Sequence, residues 1–109
     1  MDALTQKNRE YLIADCQQDV VQMQTLKGKL ECDLAVKNYS EIIREATEGF
    51  LKKVHVCIGK ISKFLEKFEI VPDSDLSKIE QDYKREVKLL ISHLGNLESI
   101  YDHVVIKNN

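Results

Sequence analysis

The sequence predicts an all-α fold, an antiparallel bundle of three long helices, on three observations. Apolar residues recur at steps of three and four along most of the chain, which lines them up on single helix faces. One proline, Pro72, sits in the clearest cluster of turn formers. The composition, with four Gly and no Trp, 43% hydrophobic and 31% charged residues, suits a folded helical domain better than a disordered or turn-rich chain.

The first helix is expected over about residues 3–36. Leu12, Cys16, Val20, Met23, Leu26, Leu30 and Leu34 form its apolar stripe, and Asp2 is placed to cap its start. The stretch from Thr5 to Glu10 offers little to bury, so its first two turns are expected to fray.

Continuing that stripe beyond Leu34 leads to Glu41 and Glu45, whereas a new apolar series begins at Tyr39. The apolar face therefore jumps by roughly half a turn at ~100° per residue, a phase break that marks a chain reversal. Asn38 and Ser40 supply stop and start signals. With neither Gly nor Pro here, a bent, nearly continuous first and second helix is the alternative.

The second helix is expected over about 40–69, on Tyr39, Ile43, Ala46, Phe50, Val54, Cys57, Ile61, Phe64 and Phe68. A second row, Leu51, Ile58 and Leu65, widens its apolar face beyond what one neighbour can cover, which makes it the central helix. Gly49 and Gly59 each weaken it by ~1 kcal/mol relative to Ala, unless another backbone uses the space.

Pro72 forbids helical continuation, and Asp73, Ser74 or Asp75 can cap the next helix; Ser77 and Glu80 also match a capping box. The third helix is expected over about 75–105, on Leu76, Ile79, Tyr83, Val87, Leu90, Leu94, Leu97, Tyr101 and Val104. Its β-branched end from Val104 to Ile106 is expected to fray or extend, with Lys107, Asn108 and Asn109 loose. Residues 1–109 are read as one domain.

Charge and cysteine usage narrow the function classes. The net charge is −2 with both signs interspersed, so the concentrated positive field of a duplex-binding protein is missing and no nucleic acid partner is expected. The three cysteines, Cys16, Cys32 and Cys57, contain no CxxC pair. They point to a reducing compartment, and an intracellular protein, cytoplasmic or nuclear, is expected. No apolar run approaches the length of a membrane span, and the first ten residues are too polar for a signal peptide.

Candidate chemistry is sparse. His55 and His103 fall on polar helix sides and His93 at the edge of a stripe. None has a ligand at the spacing of a zinc or di-iron site, so no metal or cofactor is expected. Cys16 and Cys57 lie on core stripes and Cys32 points away from its own. No base or oxyanion site accompanies any of them, and no catalytic residue is assigned.

Two surfaces remain. Lys53, Lys60, Lys63 and Lys67 share one side of the second helix and form a candidate face for an acidic partner. Leu51, Ile58, Leu65, Leu89 and Ile91 lie beside or outside the tightest stripes and are the candidate protein-interaction residues. The expected function is non-enzymatic: a helical interaction module, a structural subunit or adaptor packing apolar stripes against partner helices in a larger assembly, with self-association as one form of it. The alternative is a small regulatory binder, such as an inhibitor, immunity-type protein or co-chaperone, presenting one helical face to a globular target.

Overall fold

The computed structural model describes residues 3–107, with side-chain surroundings for residues 6–105. The expected cap Asp2, and Asn108 and Asn109, lie outside the described residues. Helix α1 spans Ala3–Val36 and α2 spans Glu41–Ile70. A 3₁₀ turn, Asp73–Asp75, then leads into α3 (Leu76–Tyr83), a π-helical turn (Lys84–Lys88) and α4 (Leu89–Lys107). The backbone is helical from Leu76 to Lys107, and α3, the π turn and α4 together are the third helix of an all-α three-helix bundle.

The chain reverses where the stripe changes phase. Lys37–Ser40 is non-helical, so the bent continuous helix is not formed. Ser40 is extended and its side chain accepts a hydrogen bond from the Ile43 amide at 3.4 Å, satisfying a donor that the first turn of α2 leaves unpaired. At the other end, Val71 donates its amide to the Lys67 carbonyl at 2.9 Å before Pro72 stops the helix. The expected side-chain cap from Asp73, Ser74 or Asp75 is not made: the 3₁₀ turn and α3 start without one. Asp73 is drawn instead to Arg9, 2.6 Å away. The third helix runs on through Lys107 rather than loosening near Val105.

Bonds between helices fix the topology. Arg9 meets Asp73, Lys88 meets Asp15 and Asp19, Lys29 meets Glu98 and Asp102, and Tyr101 meets Asp33. Partners ascend together in number, so α1 and the third helix are parallel, and α2 runs antiparallel between them. The rod measures 56 × 20 × 17 Å, with a radius of gyration of 17.0 Å, against about 13 Å for a compact domain of this length.

The core follows the stripes closely. Leu12, Cys16, Met23, Leu26 and Leu30 of α1 meet Phe50, Val54, Cys57, Ile61, Phe64 and Phe68 of α2, and Leu76, Tyr83, Val87, Ile91 and Leu94 close the third side. The Tyr83 ring stands edge-on to Phe64 and Phe68, at 5.3 and 5.7 Å, in the T-shaped arrangement that ring quadrupoles favour.

Three details depart from the expected pattern. Ala46 is exposed while the adjacent Thr47 is buried, its hydroxyl satisfied by the Ile43 carbonyl at 2.7 Å. In the third helix Ile91, not Leu90, follows Val87 into the core, because the wider π turn rotates the face beyond it. Arg9, in the stretch expected to fray, is only 8% exposed. It gives one hydrogen bond to the Phe68 carbonyl at 2.7 Å and a second to Asp73, joining all three helices at that end.

Candidate interaction surface

The seams between helices differ in chemistry. The α1–third helix seam is polar and its charges are matched. Lys88 Nζ lies 2.8 Å from Asp19 and 3.0 Å from Asp15, while Lys29 Nζ lies 2.9 Å from Glu98 and 2.7 Å from Asp102. Burial opposes the charge on each lysine, but hydrogen bonds to the carboxylates outweigh it and hold both ammonium groups above the usual lysine pKa. Tyr101 gives its proton to Asp33 at 2.7 Å, so Tyr39, 3.1 Å away, is the donor in the Tyr39–Tyr101 bond.

Deep in this seam, burial raises the Cys16 thiol to about 11, with the charges of Asp15 and Asp19 adding to the effect and a hydrogen bond to Tyr83 opposing it. Burial likewise raises Cys57 to about 11. Both thiols are protonated at neutral pH and fill the core as small apolar groups. Cys32 is exposed.

The seam between α2 and the third helix is open at one end. Ile42, Ile43, Ala46, Gly49 and Phe50 form one wall of a groove of about 400 Å³, and Leu97, Ile100, Tyr101, Val104 and Val105 form the other. Ile42 is 80% exposed and Ile100 59% exposed, yet both line the same groove as the buried Phe50. Ala46 and Gly49 leave space between the walls, and a Cβ at Gly49 would meet nothing within 4 Å. A shallower furrow continues the groove past Lys53, Val56 and Leu90.

The expected interaction residues do not form one patch. Leu51, Ile58 and Leu65 are half-buried and lean on the core, completing the wide face of α2. Ile91 belongs to the core itself, and Leu89 stands exposed on the far side of the π turn. Sequence spacing alone passed over Ile42, and set Ile100 outside the stripe of the third helix without choosing it as an interaction residue. Their signal was the pair of small residues Ala46 and Gly49, three positions apart, next to large apolar positions.

Lys53, Lys60, Lys63 and Lys67 are all exposed, and Lys53 lines the groove. Lys67 covers the Phe64 ring at 4.8 Å. The other three have no acidic partner among the described residues, and α2 contributes to none of the ion pairs. His55, His93 and His103 are exposed. Among the described residues, no three His, Cys, Asp or Glu side chains converge on a point where a metal ion could be held, and no helix is long and apolar enough to cross a membrane.

Comparison with known protein families, curated proteins and solved structures yields no match. The functional reading therefore rests on the groove and its surroundings.

Proposed function

We propose that the chain is a non-enzymatic helical interaction module, an intracellular adaptor or structural subunit that receives a partner helix along the seam between α2 and the third helix. The observation that supports this reading is the open apolar groove, in which the exposed Ile42 and Ile100 share the lining with the core residue Phe50. Large apolar side chains on adjoining helix edges, around a concavity, are the surface that helix-in-groove recognition uses. Covering one such side chain contributes ~1.5 to 3 kcal/mol before ordering costs.

A photo-crosslinking side chain placed at Ile100 in the native cells tests the proposal, with Gln24 on the exposed side of α1 as the control position. The expected result is a discrete adduct from position 100 to one polypeptide, absent from position 24 and lost when Ala46→Glu fills the groove. Equal adducts from both positions, or none from either, would overturn it.

A further inference from the structure

We infer that the occupant of this groove is an acidic amphipathic helix of another protein, seated with its apolar stripe between the two walls and its carboxylates along Lys53, Lys60 and Lys63. The inference rests on the reading of the chain as a helix-binding module and adds the chemistry of the partner.

Charge is distributed unevenly over the rod. On the α1–third helix side Lys29 and Lys88 are each matched to two carboxylates of the chain itself. Between residues 52 and 67, α2 carries five lysines and a single glutamate, and Lys53, Lys60 and Lys63 have no acidic partner among the described residues. Where Lys53 borders the groove, the facing residues Leu90, Leu97, Ile100 and Val104 carry no charge that could neutralise it. Both walls of the groove are thus apolar, with Lys53 at the rim, and Lys60 and Lys63 carry the basic row along α2 beyond it. From Ile42 to Lys63 the edge of α2 rises ~32 Å, the length of a helix of about twenty residues.

The same geometry argues against the other occupants. A two-fold contact centred on residues 52–67 would bring together two stretches that each carry five lysines and one glutamate, and these repel. Nucleic acid would call for arginines or aromatic side chains among the lysines, and the row has neither. A membrane surface is flat, and the apolar residues here line a concavity whose floor includes Phe50.

The test is selection from a displayed library of amphipathic helices of about twenty residues. The apolar stripe is fixed, and each flank position is free to be Glu, Gln or Lys. Against the full chain, Glu is expected to be enriched over Gln by about tenfold on one flank, and binding of the selected peptides is expected to weaken as salt is raised. The triple variant Lys53→Glu, Lys60→Glu, Lys63→Glu should favour Lys at the same positions. The Gln triple, which removes the charge without reversing it, should remove the preference altogether.

Recovery of Glu, Gln and Lys flanks in equal numbers, with binding still lost on Ile100→Glu, would overturn the acidic partner and leave the interaction module standing. Tighter binding to phosphatidylserine vesicles than to any selected peptide would overturn it in favour of a membrane. A dimer in sedimentation that survives the lysine reversal and masks Ile100 would overturn it in favour of self-association. Failure to select any helix, together with no adduct from position 100, would overturn the module reading itself.

Discussion

Tyr83 Oη donates a 2.5 Å hydrogen bond to Asp19 Oδ2 across the α1–third helix seam, between two buried residues 64 positions apart in the chain. Lys88 Nζ lies 2.8 Å from that same oxygen, so one carboxylate satisfies a buried hydroxyl and anchors a partly exposed ammonium. Removing it strands the hydroxyl in the core, where an unmade hydrogen bond costs about 1 to 3 kcal/mol. Asp19→Ala is therefore expected to lower unfolding free energy by about 2 to 3 kcal/mol, the Lys88 contribution being reduced by its exposure. Lys29→Ala breaks a pair of similar geometry but more open to water, and should cost less than about 1 kcal/mol. Urea denaturation of both variants checks the order. Equal losses would show that burial does not decide the strength of these bridges.

Arg9 clasps the end of the rod where α2 gives way to the third helix. Its guanidinium reaches the Phe68 carbonyl near the C-terminus of α2 and the Asp73 carboxylate ahead of the third helix, a position where the helix dipole also favours a cation. Arg9→Ala should cost about 2 to 3 kcal/mol. Arg9→Lys should recover less than half of the loss, because a point charge cannot reach both acceptors in the geometry of the fork. Thermal melts of the three proteins decide this, and full recovery by lysine would reduce the clasp to simple charge attraction.

Much of this fold was legible in the sequence, because burial and periodicity are the same statement made at different levels. The phase jump after Leu34 placed the first reversal and Pro72 the second, and the wide stripe of α2 marked it as central. What was not legible depended on residues distant in sequence. Arg9 looked like part of a polar, fraying stretch, since nothing local reveals that Asp73 waits 64 residues away. The π turn at Lys84–Lys88 leaves no signature in apolar spacing, yet it decides that Ile91 rather than Leu90 enters the core. The groove escaped notice for a related reason. Spacing shows which residues share a face, but not how far two helices diverge, and Ala46 and Gly49 leave that gap unfilled.

Alkali should destabilise the protein selectively. Burial raises the Cys16 and Cys57 thiols from 9.0 to about 11. It also raises the Tyr83 and Tyr101 hydroxyls, with hydrogen bonds to Asp19, and to Tyr39 and Asp33, adding to the effect. The folded chain thus keeps protons that the unfolded chain releases, so the associated stability is complete below about pH 9 and is lost as pH rises through the folded values. The melting temperature is expected to fall steadily between about pH 9 and 11. A melting temperature constant over that range would contradict the burial of these groups.

The thiols themselves provide a direct probe. Cys32 is exposed, whereas Cys16 and Cys57 are buried and held as thiols. A thiol reagent at neutral pH should label Cys32 first, and the remaining two only on the timescale of unfolding. Rapid labelling of all three in mass spectrometry would show that the seam around Cys16 opens without global unfolding.

Gly49 and Gly59 separate the requirements of folding from those of binding. A Cβ built on either meets nothing within 4 Å, so the fold makes no use of the space, while glycine in a helix interior costs ~1 kcal/mol relative to alanine. Gly59→Ala should raise stability by about that amount and leave association unchanged. Gly49→Ala should stabilise the isolated chain equally, but its new methyl rises into the groove beside Phe50 and Ile100. The crosslink from position 100 should then weaken even as the melting temperature increases. If Gly49→Ala strengthens both, the glycine does not keep the groove open, and the binding surface must lie further along the seam towards Val56 and Leu90.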